Sequence, residues 1–150
     1  KVESISKYNA VFINGNEIDC TNLKQLIRGY DKNIKIFESH YFPTNINQFD
    51  TTEKYIIFSG IGNPESFLET LIRNKINIIK TINFPDHFNY TQKDIDKVKL
   101  QAEKLNAKII TTEKDYVKIN PNKNNDIMFL KIEFRIKNEE KLIDYLKLHI

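Results

Sequence analysis

Asp86 and His87 put a carboxylate next to an imidazole within the segment Asn83-Phe84-Pro85-Asp86-His87-Phe88-Asn89-Tyr90-Thr91. Pro85 fixes its own φ and biases Phe84 toward an extended conformation, so the segment gives up backbone freedom while presenting titratable groups. His87 has three readings: a solvated loop residue, a packing residue at a helix entry, or a general base or base-orienter. Adjacent side chains on a loop rarely hydrogen-bond each other. A self-contained dyad is therefore disfavoured, and a carboxylate partner for His87 is expected from elsewhere in the protein.

The elements that must position this segment are legible on both sides of it. Tyr55-Ile56-Ile57-Phe58 reads as a strand that ends in Ser59-Gly60-Ile61-Gly62-Asn63-Pro64-Glu65, where Asn63 as N-cap and Pro64 at the first helical position open a helix carrying Phe67, Leu68, Leu71 and Ile72. Ile76 to Ile82 reads as the next strand, leading into the Asp86-His87 segment. Thr91 with Asp94 three residues on begins a helix whose Ile95, Val98, Ala102 and Leu105 share one face. Lys108-Ile109-Ile110 is a third strand, followed by Thr111-Thr112-Glu113-Lys114-Asp115, the start of a short helix. The β-α-β-α-β order predicts parallel strands with right-handed crossovers in a three-layer α/β/α, Rossmann-like domain. In such sheets ligands sit beyond the carboxyl ends of the strands, so all three polar turns are expected on one edge.

Each turn has a plain structural reading beside the functional one. Gly60 to Glu65 begins like a dinucleotide fingerprint, but Glu65 stands where the third glycine belongs and would repel a pyrophosphate, which leaves a tight helix-opening turn able at most to accept an anion at its helix terminus. Glu113, Lys114 and Asp115 are explained by capping and surface pairing about as well as by phosphate contact. None of Gly15, Gly29, Gly60 and Gly62 is followed by Lys-Ser/Thr, so no phosphate loop is present, and His40, His87, His149 and Cys20 lack metal-ligand spacing.

Around this core the signals are weaker. Ala10-Val11-Phe12-Ile13 reads as a buried strand stopped by Asn14-Gly15-Asn16, with no sheet partner near in sequence. Asp19 or Thr21 is expected to cap a short helix carrying Leu23, Leu26 and Ile27, with Gly29 just past its end. Lys35 to Phe42 alternates loosely and turns at Pro43-Thr44-Asn45, after which Ile46 to Phe49 is expected to pair back as a two-stranded connector. Ile127 to Ile132 reads as a fourth strand after the polar loop Asn120 to Asp126, and Asn138 as the cap of a last helix carrying Leu142, Tyr145 and Leu146.

With 150 residues, 40% of them hydrophobic, the chain can bury one real core with some length left over. A formal charge of +3 without a long basic block argues against nucleic acid as a partner. The lone Cys20 excludes an internal disulfide and fits a reducing compartment, with cytoplasm as the default. No apolar run reaches the roughly 18–20 residues of a spanning helix, so the chain is expected to be soluble. Its first residue is Lys1 and its only methionine is Met128, and Lys1 to Lys7 offers no signal that opens a domain. Either a leader has been cut off or, as the missing opening signal favours, the chain is expected to be the downstream part of a longer protein.

Ile57-Phe58-Ser59-Gly60-Ile61-Gly62-Asn63-Pro64-Glu65-Ser66-Phe67, then Phe84-Pro85-Asp86-His87 with Tyr90-Thr91, then Thr111-Thr112-Glu113-Lys114-Asp115-Tyr116-Val117-Lys118, resembles in order and spacing the C-terminal part of the tetraacyldisaccharide 4′-kinases, the lipid A 4′-kinases. Asn9-Ala10-Val11-Phe12-Ile13-Asn14-Gly15 also looks like the family's segment at the end of its N-terminal domain. The resemblance implies ATP- and Mg2+-dependent transfer of the γ-phosphate to the 4′-hydroxyl of a tetraacylated disaccharide 1-phosphate, at the cytoplasmic face of the inner membrane of a Gram-negative bacterium. It also implies two lobes joined by a two-stranded hinge, with the phosphate loop, the metal-binding carboxylates and a membrane-anchoring helix all upstream of these residues. On that pattern residues 1–34 are the tail of the P-loop lobe, 35–50 the hinge and 51–150 the C-terminal lobe. His87 is then the candidate catalytic residue, pairing with a carboxylate of the other lobe that activates the sugar hydroxyl. Gly60, Gly62, Asp86, Thr112, Glu113 and Lys114 are the candidates for the substrate and phosphate cleft.

Two readings from other classes stand beside this one. A non-catalytic nucleotide- or anion-binding module is allowed by the turn near Gly62, and a docking domain by aromatics such as Tyr41, Phe42 and Phe88. Nucleotide binding by the chain alone favours the module, whereas a kinase lobe encoded directly upstream excludes both.

Overall fold

The computed structural model describes residues 2–15, 17–119 and 124–149, with the side chains at 2, 3, 6 and 17–19 left out. Contacts group these residues into two compact units, 43–132 and a second made of 1–42 with 133–150. That division falls elsewhere than the expected boundaries at 34 and 50.

The 43–132 unit carries the regular alternation. Its strands are β3 (Lys54–Ser59), β4 (Asn77–Asn83), β5 (Lys108–Thr112) and β6 (Ile127–Leu130), and its main helices are α2 (Pro64–Arg73) and α3 (Gln92–Leu105). The sheet is parallel in the order β4-β3-β5-β6. β3 is buried from Tyr55 to Ser59, an unbroken run as expected of a central strand covered on both faces. Tyr55 and Ile57 pack with Phe67 and Leu71 of α2, while Ile56 and Phe58 pack with Ile95, Val98 and Ala102 of α3. Alternate residues of one strand therefore anchor a helix on each face, which makes the three layers; each such side chain contributes about 1.5–3 kcal/mol by burial.

Local chemistry sets the helix starts as expected. The Asn63 side chain accepts the Ser66 N–H at 3.1 Å with Pro64 in the first turn. Thr91 and Asp94 form a reciprocal capping box, and α3 ends at Asn106 in the left-handed region.

Elsewhere several expectations are corrected. Ile46 to Phe49 does not pair back as a strand: Ile46–Gln48 is a 3-10 turn. The edge of β6 is satisfied by a side chain instead, since Asn45 Nδ2 donates to the Phe129 carbonyl and Asn45 Oδ1 accepts the Lys131 N–H, both at 2.8 Å. The expected strand Ile127 to Ile132 breaks at Lys131, and a further strand, β7 (Ile132–Ile136), joins the other sheet. That sheet has the order β1-β2-β7, where β1 (Ala10–Asn14) finds its partner in β2 (Lys35–Pro43), parallel to it. Helix α1 (Glu17–Tyr30) begins before Asp19 and Thr21 and runs through Gly29, so neither caps it and Gly29 is not past its end. Its Cys20 and Ile27 are buried with Ile13 and Ile34. The last helix, α5 (Glu139–Lys147), starts after Asn138 through a left-handed backbone, without a side-chain cap. Residues 120–123 of the expected polar loop lie outside the described residues.

Candidate functional site

β3 has β4 on one side and β5 on the other, so the chains leaving β3 and β5 diverge at their carboxyl ends, the place where open parallel sheets form a crevice. The turns after β3, β4 and β5 meet there. Phe84 N–H donates to Ser59 O at 2.8 Å, His87 N–H to Gly60 O at 3.1 Å, and Thr111 Oγ1 to Phe58 O at 2.8 Å.

Under the edge lies Asp115, fully buried in the short helix α4 (Glu113–Tyr116). Its Oδ2 accepts the Gly60 N–H at 2.9 Å and the Thr112 hydroxyl at 2.8 Å, and its Oδ1 pairs with Lys118 Nζ at 3.1 Å. Thr112 in return accepts the Asp115 N–H, which caps the helix. Lys118 also reaches the Phe88 carbonyl at 3.4 Å. A charge buried this deeply is tolerable only because each oxygen has a partner. Tyr90 stands next to it, edge-on to Phe58 and Phe84 at centroid distances of 5.5 and 5.1 Å. Its hydroxyl is buried and meets no acceptor at hydrogen-bonding geometry, although Asp115 is near enough to act on it electrostatically. Burial first, then that carboxylate, pushes the phenol far above the ordinary tyrosine range.

Above this floor His87 takes φ 59°, a left-handed conformation unusual for a residue with a Cβ. Its N–H is shared by Gly60 O and Asp86 Oδ1, the latter at 2.9 Å, while Phe88 N–H closes a turn onto Pro85 O. The side chain is 74% exposed, and Nε2 lies 3.8 Å from Asp86 Oδ2, too far for a hydrogen bond. No self-contained dyad forms, in line with the expectation from the loop. Lys114 Nζ stands 3.9 Å from Asp86 Oδ1, an exposed pair of small energetic weight.

Of the residues singled out from the sequence, Gly60, Asp86, His87 and Thr112 thus belong to one connected cluster. Gly62 joins it by proximity, since a Cβ there would lie 3.3 Å from Asp86 Oδ2. Lys114 touches it only through Asp86, and Glu113 is exposed. Tyr90, Asp115 and Lys118 went unselected. The Thr112-x-x-Asp115 spacing marks Asp115 as a helix-start residue, but nothing in the sequence says that its carboxylate turns inward to another loop.

These residues do not by themselves make a site for ATP and magnesium. The Gly60 amide is committed to Asp115, the Asp86 carboxylate stands over Gly62, and Glu65 sits in the first turn of α2, so the turn offers an anion more negative charge than free N–H groups. Among the described residues no group of three or more His, Cys, Asp or Glu side chains could hold a metal ion. Among the same residues no helix is long and apolar enough to cross a membrane.

Comparison with known proteins agrees with the motifs. The chain is 39% identical to the tetraacyldisaccharide 4′-kinase of Pelagibacter ubique over 145 residues, which is 97% of this chain and 46% of that protein. It is 46% identical to the enzyme of the same name from Rickettsia canadensis over 109 residues, or 72% of this chain and 32% of that one. The chain therefore spans about half, or less, of the length of these relatives. A crystal structure of the "apo" form of LpxK from Aquifex aeolicus in complex with ATP shares the fold, with TM-score 0.57 and 17% identity over 98% of this chain and 44% of that one. The family model described as tetraacyldisaccharide-1-P 4′-kinase matches residues 1–150, and by that match the chain belongs to this kinase family.

Proposed function

We propose that this chain is the C-terminal part of a kinase that transfers the ATP γ-phosphate to the 4′-hydroxyl of a tetraacyldisaccharide 1-phosphate, the lipid A disaccharide precursor, and that His87 orients and tunes a carboxylate supplied from outside residues 1–150. In this reading residues 1–34 continue an upstream P-loop lobe, with the connector beginning at 35. ATP and Mg2+ are held mainly by that lobe, which also places the enzyme at the cytoplasmic face of the inner membrane.

One observation carries the role of His87. Its backbone is held in a conformation that glycine would adopt more easily, yet the imidazole is 74% exposed and makes no hydrogen bond in its own loop, where Asp86 Oδ2 stands 3.8 Å from it. The fold gains little from a histidine here, and strain retained at an exposed titratable side chain is the pattern expected of a functional position. The hydrogen bonds beneath it fix the backbone while the ring stays free to meet a partner.

The test is His87→Ala in the full-length protein, with steady-state phosphate transfer to the tetraacyldisaccharide 1-phosphate. Loss of help in activating the hydroxyl should lower kcat by about 10²–10⁴-fold with little change in KM for ATP. A kcat within about twofold of the parent would return His87 to the role of a solvated loop residue.

A further inference from the structure

Asp115 is the buried charge that the proposed reaction does not use, and its contacts lead to His87 by two routes. Gly60 donates its N–H to Asp115 and accepts the His87 N–H with its own carbonyl, so one residue links the carboxylate to the amide of His87. Lys118 bridges Asp115 Oδ1 to the Phe88 carbonyl on the other side of His87. The two contacts flank a left-handed residue that would otherwise relax, and the Asp115 end of both is out of water, where hydrogen bonds to a charge are strongest.

We infer that Asp115 is a positioning residue: through Gly60 and Lys118 it holds the peptide units around His87 so that the imidazole is presented to its partner. This rests on the proposed role of His87. Thr112 helps by fixing the carboxylate on α4 from both ends of its own hydroxyl.

Asp115→Asn keeps the shape but replaces one oxygen with an NH2 group, which must face either the Gly60 N–H or the Lys118 ammonium, so one route breaks in either orientation. Lys118→Met breaks the second route alone. In the full-length protein, Asp115→Asn should lower kcat at least about tenfold while KM for ATP stays within about twofold, since small misplacements of a reacting group are costly. In the His87→Ala background neither substitution should lower kcat further, because both act through the imidazole. Lys118→Met should show a smaller fall with the same lack of additivity, and it decides the matter where Asp115→Asn does not fold. A kcat unchanged in a folded variant, or a fall that persists in full when His87 is already alanine, overturns the inference while leaving the role of His87 intact. If His87→Ala itself has no effect, the underlying reading fails first. Faster amide exchange at His87 in Asp115→Asn is expected as well, and unchanged exchange would count against the inference.

Discussion

A methyl group added at Gly60 tests how tightly the three turns are clasped. Gly60 does not have positive φ, so alanine meets no torsional objection and any cost is steric. The new Cβ would lie 2.9 Å from Tyr90 Oη, 3.1 Å from Pro85 O and 3.2 Å from Phe88 Cβ. All three fall short of the 3.5–4.0 Å range of favourable contact, and the Pro85 carbonyl accepts the Phe88 N–H, so it yields only if the His87 turn moves. Overpacking of this kind costs about 1–3 kcal/mol, and Gly60→Ala belongs in the upper half of that range because two of its contacts lie on one constrained turn. Tyr90→Phe removes both the nearest of the three atoms and a buried hydroxyl that lies near Asp115 but meets no acceptor at hydrogen-bonding geometry. Alone it should be neutral or stabilising by up to about 1 kcal/mol, and combined with Gly60→Ala it should recover about 1 kcal/mol of the loss. Urea unfolding followed by far-UV circular dichroism measures the four corners of this cycle. A Gly60→Ala cost below about 0.5 kcal/mol, or the same cost with tyrosine and with phenylalanine at 90, would refute the clasp.

The buried Tyr90 phenol also sets an alkaline limit. Its pKa is raised in the fold, so the stability it contributes is fully present below the ordinary tyrosine value near 10 and is lost as pH rises beyond it. Stability measured from pH 9 upward should fall less steeply in Tyr90→Phe; Tyr55, also raised chiefly by burial, leaves a residual slope of the same sign. Thr91→Ala removes half of a capping box at the start of α3 and should cost about 1 kcal/mol in the same unfolding assay, and a cost near zero would mean the box is ornamental. Calorimetry of the 150-residue chain with ATP and magnesium should show no binding in the micromolar range, because the Gly60 amide and the approach to Gly62 are already occupied by carboxylates. A micromolar dissociation constant would favour a nucleotide-binding module instead.

The regular part of the fold was legible because its signals are local. β3 carries the apolar run Tyr55 to Phe58, α2 and α3 begin at Asn63-Pro64 and Thr91-x-x-Asp94, and strand-helix alternation fixes the parallel order. What escaped depends on distant partners. Asn45 substitutes a side-chain amide for the backbone of the expected strand at Ile46 to Phe49, and β7 leaves β6 for a sheet whose other strands, Ala10–Asn14 and Lys35–Pro43, lie far earlier in the chain. The site divides in the same way. Turn chemistry and strand ends pointed to Gly60, Asp86, His87 and Thr112. Asp115, by contrast, looks like a surface helix-start residue until tertiary structure brings Gly60, 55 positions away in sequence, to its oxygen.

If the His87 imidazole serves the reaction and not the fold, His87→Gly in the full-length protein separates the two. Glycine accepts φ 59° without the Cβ penalty, so stability should hold or rise by up to about 1 kcal/mol in a thermal melt while the ring is gone. A role of the ring in the reaction requires kcat for transfer to the tetraacyldisaccharide 1-phosphate to fall by about 10²–10⁴-fold despite that intact fold. A His87→Gly enzyme that is equally stable and turns over within about twofold of the parent would contradict it.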